Sequence, residues 1–297
     1  MRVPRFSRSA SCSPVIYREH PPCDALRRHV ACYWTLTSGA EPHDKRVLPD
    51  GCIDVLFSFG AVMDRGEERR GHDDAVVVGA MTRPLVAVAR GRVDLLGVRF
   101  RPGEAFAFLA VAAHEHTDRC PGLGDVWGRA GLSLADELAN LPAVERVRGV
   151  ERALLDRLSR VRRADARVRH AVSCIETTGG RLRIGPLCHD LGLGERQLER
   201  AFRERVGVGP KMLARVMRLQ ALSASLRSRP WLSWSARATE LGYVDQPHLV
   251  REVRLLANLS PTELANEMSG FSNTDASMRR THPGRTTEES PWPSAPT

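Results

Sequence analysis

Ile184-Gly-Pro-Leu-Cys-His-Asp-Leu-Gly-Leu-Gly-Glu-Arg-Gln-Leu-Glu-Arg-Ala-Phe-Arg-Glu-Arg-Val-Gly-Val-Gly-Pro-Lys-Met-Leu213 is echoed by Trp234-Ser-Ala-Arg-Ala-Thr-Glu-Leu-Gly-Tyr-Val-Asp-Gln-Pro-His-Leu-Val-Arg-Glu-Val-Arg-Leu-Leu-Ala-Asn-Leu-Ser-Pro-Thr-Glu-Leu264. At an offset of 50, Ile184, Cys188, Leu191 and Gly192 correspond to Trp234, Ala238, Leu241 and Gly242. After one inserted residue, Leu198, Arg200, Arg203, Pro210 and Leu213 correspond to Leu249, Arg251, Arg254, Pro261 and Leu264. A repeat of this kind is a duplicated supersecondary unit.

One unit can be read physically. Leu187, Cys188 and Leu191 form the apolar face of a short helix that ends at Gly192, where glycine can take the left-handed conformation of a sharp turn. A second helix is expected from Gly194-Glu195 to about Val206, with Leu198, Ala201 and Phe202 facing back at helical spacing. The small Cys188, like Ala238 in the second copy, sits where the two helices approach. Glu195, Arg196, Glu199, Arg200 and Arg203 lie on the opposite, polar face. Helix, tight turn and a second helix with exposed arginines is the helix-turn-helix design, whose second helix enters the major groove. A single copy is more readily an α-hairpin with a solvated face; two copies in one basic stretch reverse the reading to DNA. Between them, Pro210 to Arg227 reads as a helix with proline at its first turn and Leu213, Val216, Met217, Leu219, Gln220 and Leu222 on one face. At 1.5 Å per residue it is about 25 Å long, enough with the width of the units to set two recognition helices in successive grooves about 34 Å apart.

The charge agrees. The chain carries 44 Lys+Arg against 35 Asp+Glu, a net of +9, and residues 150–268 hold +8 of it. Such localisation is an electrostatic footprint of nucleic-acid binding, although a membrane surface or an acidic partner would also suit it. A length of 297 residues and a hydrophobic share of 42% allow two packed domains. The apolar runs are too short to span a membrane, and Met1–Ser13 has no apolar core of a secretory signal, so a cytoplasmic protein is expected. Seven widely spaced cysteines without a C-x-x-C pair read as reduced thiols.

The first half has another texture. Ala31–Leu36, Ile53–Phe59, Ala75–Ala80, Leu85–Ala89 and Val93–Phe100 are short β-rich runs bounded by turn residues, which suggests an antiparallel barrel or sandwich. Helical periodicity begins at Glu104–Val111 and Leu132–Leu141. Val144 to Val161 puts Val147, Val150, Leu154, Leu155 and Leu158 on one stripe, as a connector or dimer helix. Residues 269–297 are rich in Ser, Thr and Pro and are expected to be disordered.

The repeat resembles the double helix-turn-helix of the AraC/XylS family of transcription regulators. Leu191 to Phe202 with Gly207-Val-Gly-Pro210 is similar to the family's first motif. Ala238 to Val253, closed by Leu259-Ser-Pro261, is similar to its second. Val253 replaces the usual aromatic and Asn258 the usual glycine; asparagine tolerates left-handed geometry. The resemblance implies base-reading positions at Arg196, Glu199 and Arg200, and at Gln246, Pro247, Val250 and Arg251, with Arg203 and Arg254 completing the DNA-facing set. Arg200 and Arg251 could contact phosphate instead. Gln246 suits adenine, whereas Pro247 and Val250 can make only apolar contacts, for example to a thymine methyl. Cys32-Tyr-Trp34, Leu48-Pro-Asp-Gly-Cys52 with Asp54, and Gly97-Val-Arg-Phe-Arg-Pro-Gly103 resemble the sensor-type domain of one subgroup, for which a cupin-like barrel is the analogy.

No other chemistry competes. His114-Glu-His116 with Cys120 lacks the further partner a metal needs. Cys52 near Asp54 reads as a small residue at a strand start, and Cys23 and Cys32 form no cluster of the methyl-accepting kind. His189-Asp190 reads as surface. No phosphate loop, nucleophile elbow or zinc-protease motif occurs, so neither an enzyme nor a cofactor or metal site is expected. Trp34, Arg83, Arg99 and Arg101 could line a pocket for an anionic or aromatic effector, or be core and solvated rim.

The expected architecture is α+β: a β-rich, cupin-like barrel over 12–142, a helical linker over 143–165, an all-α double helix-turn-helix domain over 166–268 with a long joining helix, and the tail 269–297. The expected function is sequence-specific transcription regulation. The alternative is a small-molecule-binding or enzymatic β-barrel with an accessory basic domain. Double-stranded promoter or operator DNA is the expected partner. A small-molecule effector, RNA polymerase and a second copy of the chain are candidates, and no membrane partner is expected.

Overall fold

The computed structural model describes residues 15–39, 43–60, 63–64, 74–89, 91–109, 111–158 and 165–270. Among the described residues of the first hundred lie eight strands: β1 (Ile16–His20), β2 (Val30–Ser38), β3 (His43–Val47), β4 (Ile53–Ser58), β5 (Met63–Asp64), β6 (Ala75–Val78), β7 (Leu85–Ala89) and β8 (Val93–Phe100). They form two antiparallel sheets, in the orders β1-β2-β8-β4-β6 and β3-β7-β5. All five β-rich runs are strands. The three further strands lie at sheet edges, where one side has no ladder partner and charged side chains are usual: β1 and β3 are polar segments and β5 spans two residues.

Strand alternation divides the larger sheet. Tyr33, Val55, Phe57, Val77, Leu96, Val98 and Phe100 enter the main core, and Leu36, Leu56, Val76 and Leu95 enter a small cluster on the other face. The register sets Tyr33 and Val55 on either side of Val98. Short helices follow: α1 (Phe106–Leu109), a 3₁₀ turn at Ala113–His116, α2 (Leu123–Trp127), α3 (Arg129–Ala139) and α4 (Ala143–Leu158). The stripe of α4 is spent on its own half: Gly149, Val150 and Leu154 are buried. Glu151 Oε1 accepts from the Cys23 amide at 2.8 Å and the Tyr33 hydroxyl at 3.2 Å. The segment that reads as a connector or dimer helix is therefore docked on the β-rich half.

The remainder is helical: α5 (Ala166–Thr177), α6 (Ile184–Asp190), α7 (Glu195–Val206), α8 (Pro210–Ser228), α9 (Trp234–Glu240), α10 (Gln246–Ala257) and α11 (Pro261–Gly270). Leu187 and Cys188 of α6 meet the buried Leu198 and Phe202 of α7. Ala238 of α9, Tyr243, and Leu249 and Val253 of α10 repeat the arrangement. The turns pass through Gly192 (φ 62°) and Gly242 (φ 76°), in the left-handed region that glycine enters without penalty. Val253 is fully buried in place of an aromatic, and Asn258 caps α10 with φ 52°. Helix α8 supplies Leu213 and Ala214 to one cluster and Val216, Leu219, Leu222 and Leu226 to the next. Helix α11 continues to Gly270, and the tail beyond it lies outside the described residues.

The two halves share one core. The cluster that holds Leu26 and Phe100 of the β-rich half also holds Val168, Val206 and Leu213 of the helical half.

Candidate nucleic-acid interface

Helix α7 begins at Gly194, whose amide donates to Gln197 Oε1 at 3.0 Å. Its buried residues, Leu198, Phe202 and Val206, recur every four positions, so the intervening Arg196, Glu199, Arg200 and Arg203 are all exposed. Helix α10 begins at Asp245, whose carboxylate accepts from the His248 amide at 2.6 Å. Gln246, Pro247, Arg251 and Arg254 are exposed and Val250 is half-buried beside them. The structure thus collects the sequence-derived positions onto one face of each second helix.

They are not equivalent. Among the described residues, Arg196, Arg200 and Arg251 form no ion pair within the chain. Glu199 pairs with Arg203 at 3.7 Å, and its carboxylate lies over Gly209, where an added Cβ would meet Oε1. Glu195 pairs with Lys211 at 3.7 Å. Both acidic residues are thus paired within the chain, which leaves Arg196 and Arg200 as the α7 arginines without an ion pair among the described residues.

Behind these helices the β-rich half holds on at several points, none of them read from the sequence. Thr117 Oγ1 donates to the Gly207 carbonyl at 2.6 Å, just beyond α7. The approach is so close that a Cβ on Gly207 would meet Ala80 Cβ at 2.9 Å. Gln220, midway along α8, donates to the Pro49 carbonyl at 2.6 Å. Arg46 donates to the Ala257 carbonyl at the end of α10 at 3.3 Å and pairs with Glu267 at 3.4 Å. Glu104, with a side chain 5% exposed, accepts from His29 Nδ1 at 2.7 Å and from Arg169 Nε of α5 at 2.7 Å. Burial pushes its carboxyl up, but the hydrogen bonds from His29 and Arg169 outweigh burial and hold it below its ordinary value. One signal was available: Gln220 is a polar residue on an otherwise apolar stripe.

Of the four residues considered for an effector, Trp34 and Arg99 meet on the Asp54 carboxylate, and Arg83 and Arg101 do not join them. Arg99 is engaged by Asp54 at 2.9 Å and Asp50 at 3.7 Å, and Trp34 Nε1 donates to Asp54 at 3.1 Å. Burial pushes the Asp54 carboxyl up against the pull of Arg99. Arg83 is exposed, and the exposed Arg101 donates to the Arg27 carbonyl. Among the described residues no three or more His, Cys, Asp or Glu gather as metal ligands, and no helix is long and apolar enough to cross a membrane.

Two exposed arginine-bearing helices, each set by a tight turn on a shorter helix, define a helix-turn-helix DNA-binding protein. Residues 187–267 match the model of a helix-turn-helix domain, and residues 18–121 match that of a domain of unknown function (DUF6597). The helical half therefore carries a helix-turn-helix DNA-binding domain over residues 187–267. Among solved structures, the C-terminal domain of the response regulator AraT from Geobacillus stearothermophilus is 19% identical, covering 36% of this chain and 88% of that one, with a TM-score of 0.33. ToxT from Vibrio cholerae O395, bound to (E)-4-(8-methylnaphthalen-1-yl)but-3-enoic acid, is 9% identical over 78% of this chain and 100% of that one, with a TM-score of 0.44. Unsaturated fatty acid-bound ToxT from Vibrio cholerae strain SCE256 is 11% identical over 89% and 99%, with a TM-score of 0.40. No curated protein matches the chain.

Proposed function

We propose that the chain is a cytoplasmic regulator that reads two successive major grooves with α7 and α10. The observation that carries this reading is the pair of exposed arginine-bearing helices at either end of α8, whose 19 residues span about 28 Å. In this division 12–142 senses a small effector, 166–268 binds DNA, and 143–165 leads from one to the other with its helix α4 docked on the β-rich half. Phosphate contacts supply salt-dependent affinity, and Arg196, Arg200, Gln246 and Arg251 supply base preference, with apolar contacts from Pro247 and Val250. Arg203 and Arg254 flank these positions and face the backbone. The acidic surroundings of Arg99 favour an effector other than an anion at that point of the β-rich half.

The test is a gel-shift titration against the chain's own upstream intergenic DNA and random DNA of equal length, at two salt concentrations. Binding upstream DNA at least ~10³-fold more tightly is the expected result. Equal, steeply salt-dependent binding to both would reduce the protein to a basic DNA-associating domain.

A further inference from the structure

The offset that relates the two helix-turn-helix units sets Arg237 of α9 where α6 has Leu187. Leu187 is an ordinary core leucine, and Arg237 is equally enclosed, 1% exposed. No ion pair within 4 Å accompanies its guanidinium among the described residues; Glu240 acts only as a more distant charge. It donates instead to Ser225 Oγ at the end of α8 and to the carbonyls of Arg229 and Leu232. All three acceptors belong to one short stretch, 225–232. Burying a cation among neutral acceptors is unfavourable, and burial indeed pulls this guanidinium below its ordinary value. What the interaction accomplishes is local: it fixes the loop between α8 and α9, which Leu232 closes by donating its amide to the Arg229 carbonyl at 3.1 Å.

That fixed loop displays Trp231, 78% exposed. So exposed, the indole can pack its apolar body on a partner while donating its N–H. The loop leads directly into α9, the first helix of the second helix-turn-helix unit, and in that motif the first helix crosses the DNA backbone while the second enters the groove. The exposed Arg227, and Arg229, which pairs with Glu240 at 2.8 Å, flank it within the helical half that carries most of the chain's positive excess, which suits a polyanion.

We propose that Trp231 is a third DNA-contacting element, its ring packed on deoxyribose and its indole N–H donated to a phosphate, and that Arg237 is the residue that positions it. This rests on the DNA-reading function proposed above. A backbone contact carries no base preference, so its loss weakens all sites alike. An indole displaces no counterion, so the salt dependence of binding stays unchanged.

The test uses the full chain, the upstream fragment and a random duplex of equal length, titrated at several salt concentrations. Trp231→Ala should weaken binding to both duplexes about tenfold, with the slope of log affinity against log salt unaltered. Arg237→Leu, which restores the residue of the first copy, should show the same loss, and the double variant no greater loss than either. Because Trp231 is exposed, Trp231→Ala keeps the fold even if Arg237→Leu does not, and their thermal midpoints report this. Wild-type affinity in Trp231→Ala overturns the proposal, as does a loss confined to transcription by RNA polymerase, which would make Trp231 a protein contact. Failure of the wild type to bind either duplex overturns both readings, whereas failure of the variant effect alone overturns only this one.

Discussion

Glu104 joins the halves through a single carboxylate. His29 contacts it from the β-rich side and Arg169 from α5, each at 2.7 Å. Because its folded-state value lies below the ordinary 4.5, folding favours the ionised form. That contribution is complete above the unfolded value and disappears as the pH falls through the folded one. Glu104→Gln should destabilise the protein at pH 7 by about 1–3 kcal/mol, a fall of about 2–6 °C in the unfolding midpoint. The gap between variant and wild type should narrow as the pH drops below about 5. Calorimetric midpoints across that range check it, and a gap independent of pH would assign the loss to packing instead. Asn258 makes the complementary point for local geometry: its left-handed φ of 52° does what a glycine would do there, and that tolerance is a property of the asparagine side chain itself.

The elements differ in how plainly the sequence declares them. Helices α7 and α10 announce themselves because their apolar positions recur with the helical period and their turns carry glycine or asparagine at fixed offsets; the bounds of α7, Glu195–Val206, match those expected. The exposed arginines follow from the same periodicity, so the candidate DNA face was legible as well. Strands β1 and β3 were not, since edge strands need neither alternation nor apolar bulk. The role of α4 was hidden for another reason: an amphipathic stripe states that a helix packs, not against what, and Val150 and Leu154 turned out to pack on their own half. Glu199 shows the same limit within α7, because its diversion to Arg203 and the Gly209 turn depends on the start of α8. The prediction at this scale concerns α7. Arg196→Ala should cost about 1–3 kcal/mol on the preferred site and relax preference at one base pair, measured by anisotropy against a set of single-base variants. An equal loss on random DNA would make Arg196 a phosphate contact.

In the whole molecule, the contacts from the β-rich half fall at telling places. Thr117 holds the chain at Gly207, where α7 ends; Arg46 holds Ala257, where α10 ends; Gln220 is held midway along the helix between them. On the proposed reading, three points of attachment on a shared core brace both reading helices, so that their separation need not be acquired on binding. These contacts were illegible in the sequence because each joins residues 90 or more positions apart through a backbone carbonyl, which any residue supplies. A braced pair of helices should be intolerant of half-site spacing, since one inserted base pair displaces the second site by about 3.4 Å and rotates it by about 34°. Wild type should therefore lose about tenfold or more in affinity per inserted base pair, each misplaced reader costing at least one base contact. The double variant Thr117→Val, Arg46→Ala removes two of the three attachments without touching the DNA face. It should bind the uninterrupted site more weakly but lose less on insertion, so that the two affinities converge as the spacing is strained. Anisotropy titrations over a series of spacer lengths measure both slopes. Parallel spacing profiles for wild type and variant would show instead that α8 alone, packed between its two clusters, fixes the distance, and that the β-rich half follows the DNA-binding half without constraining it.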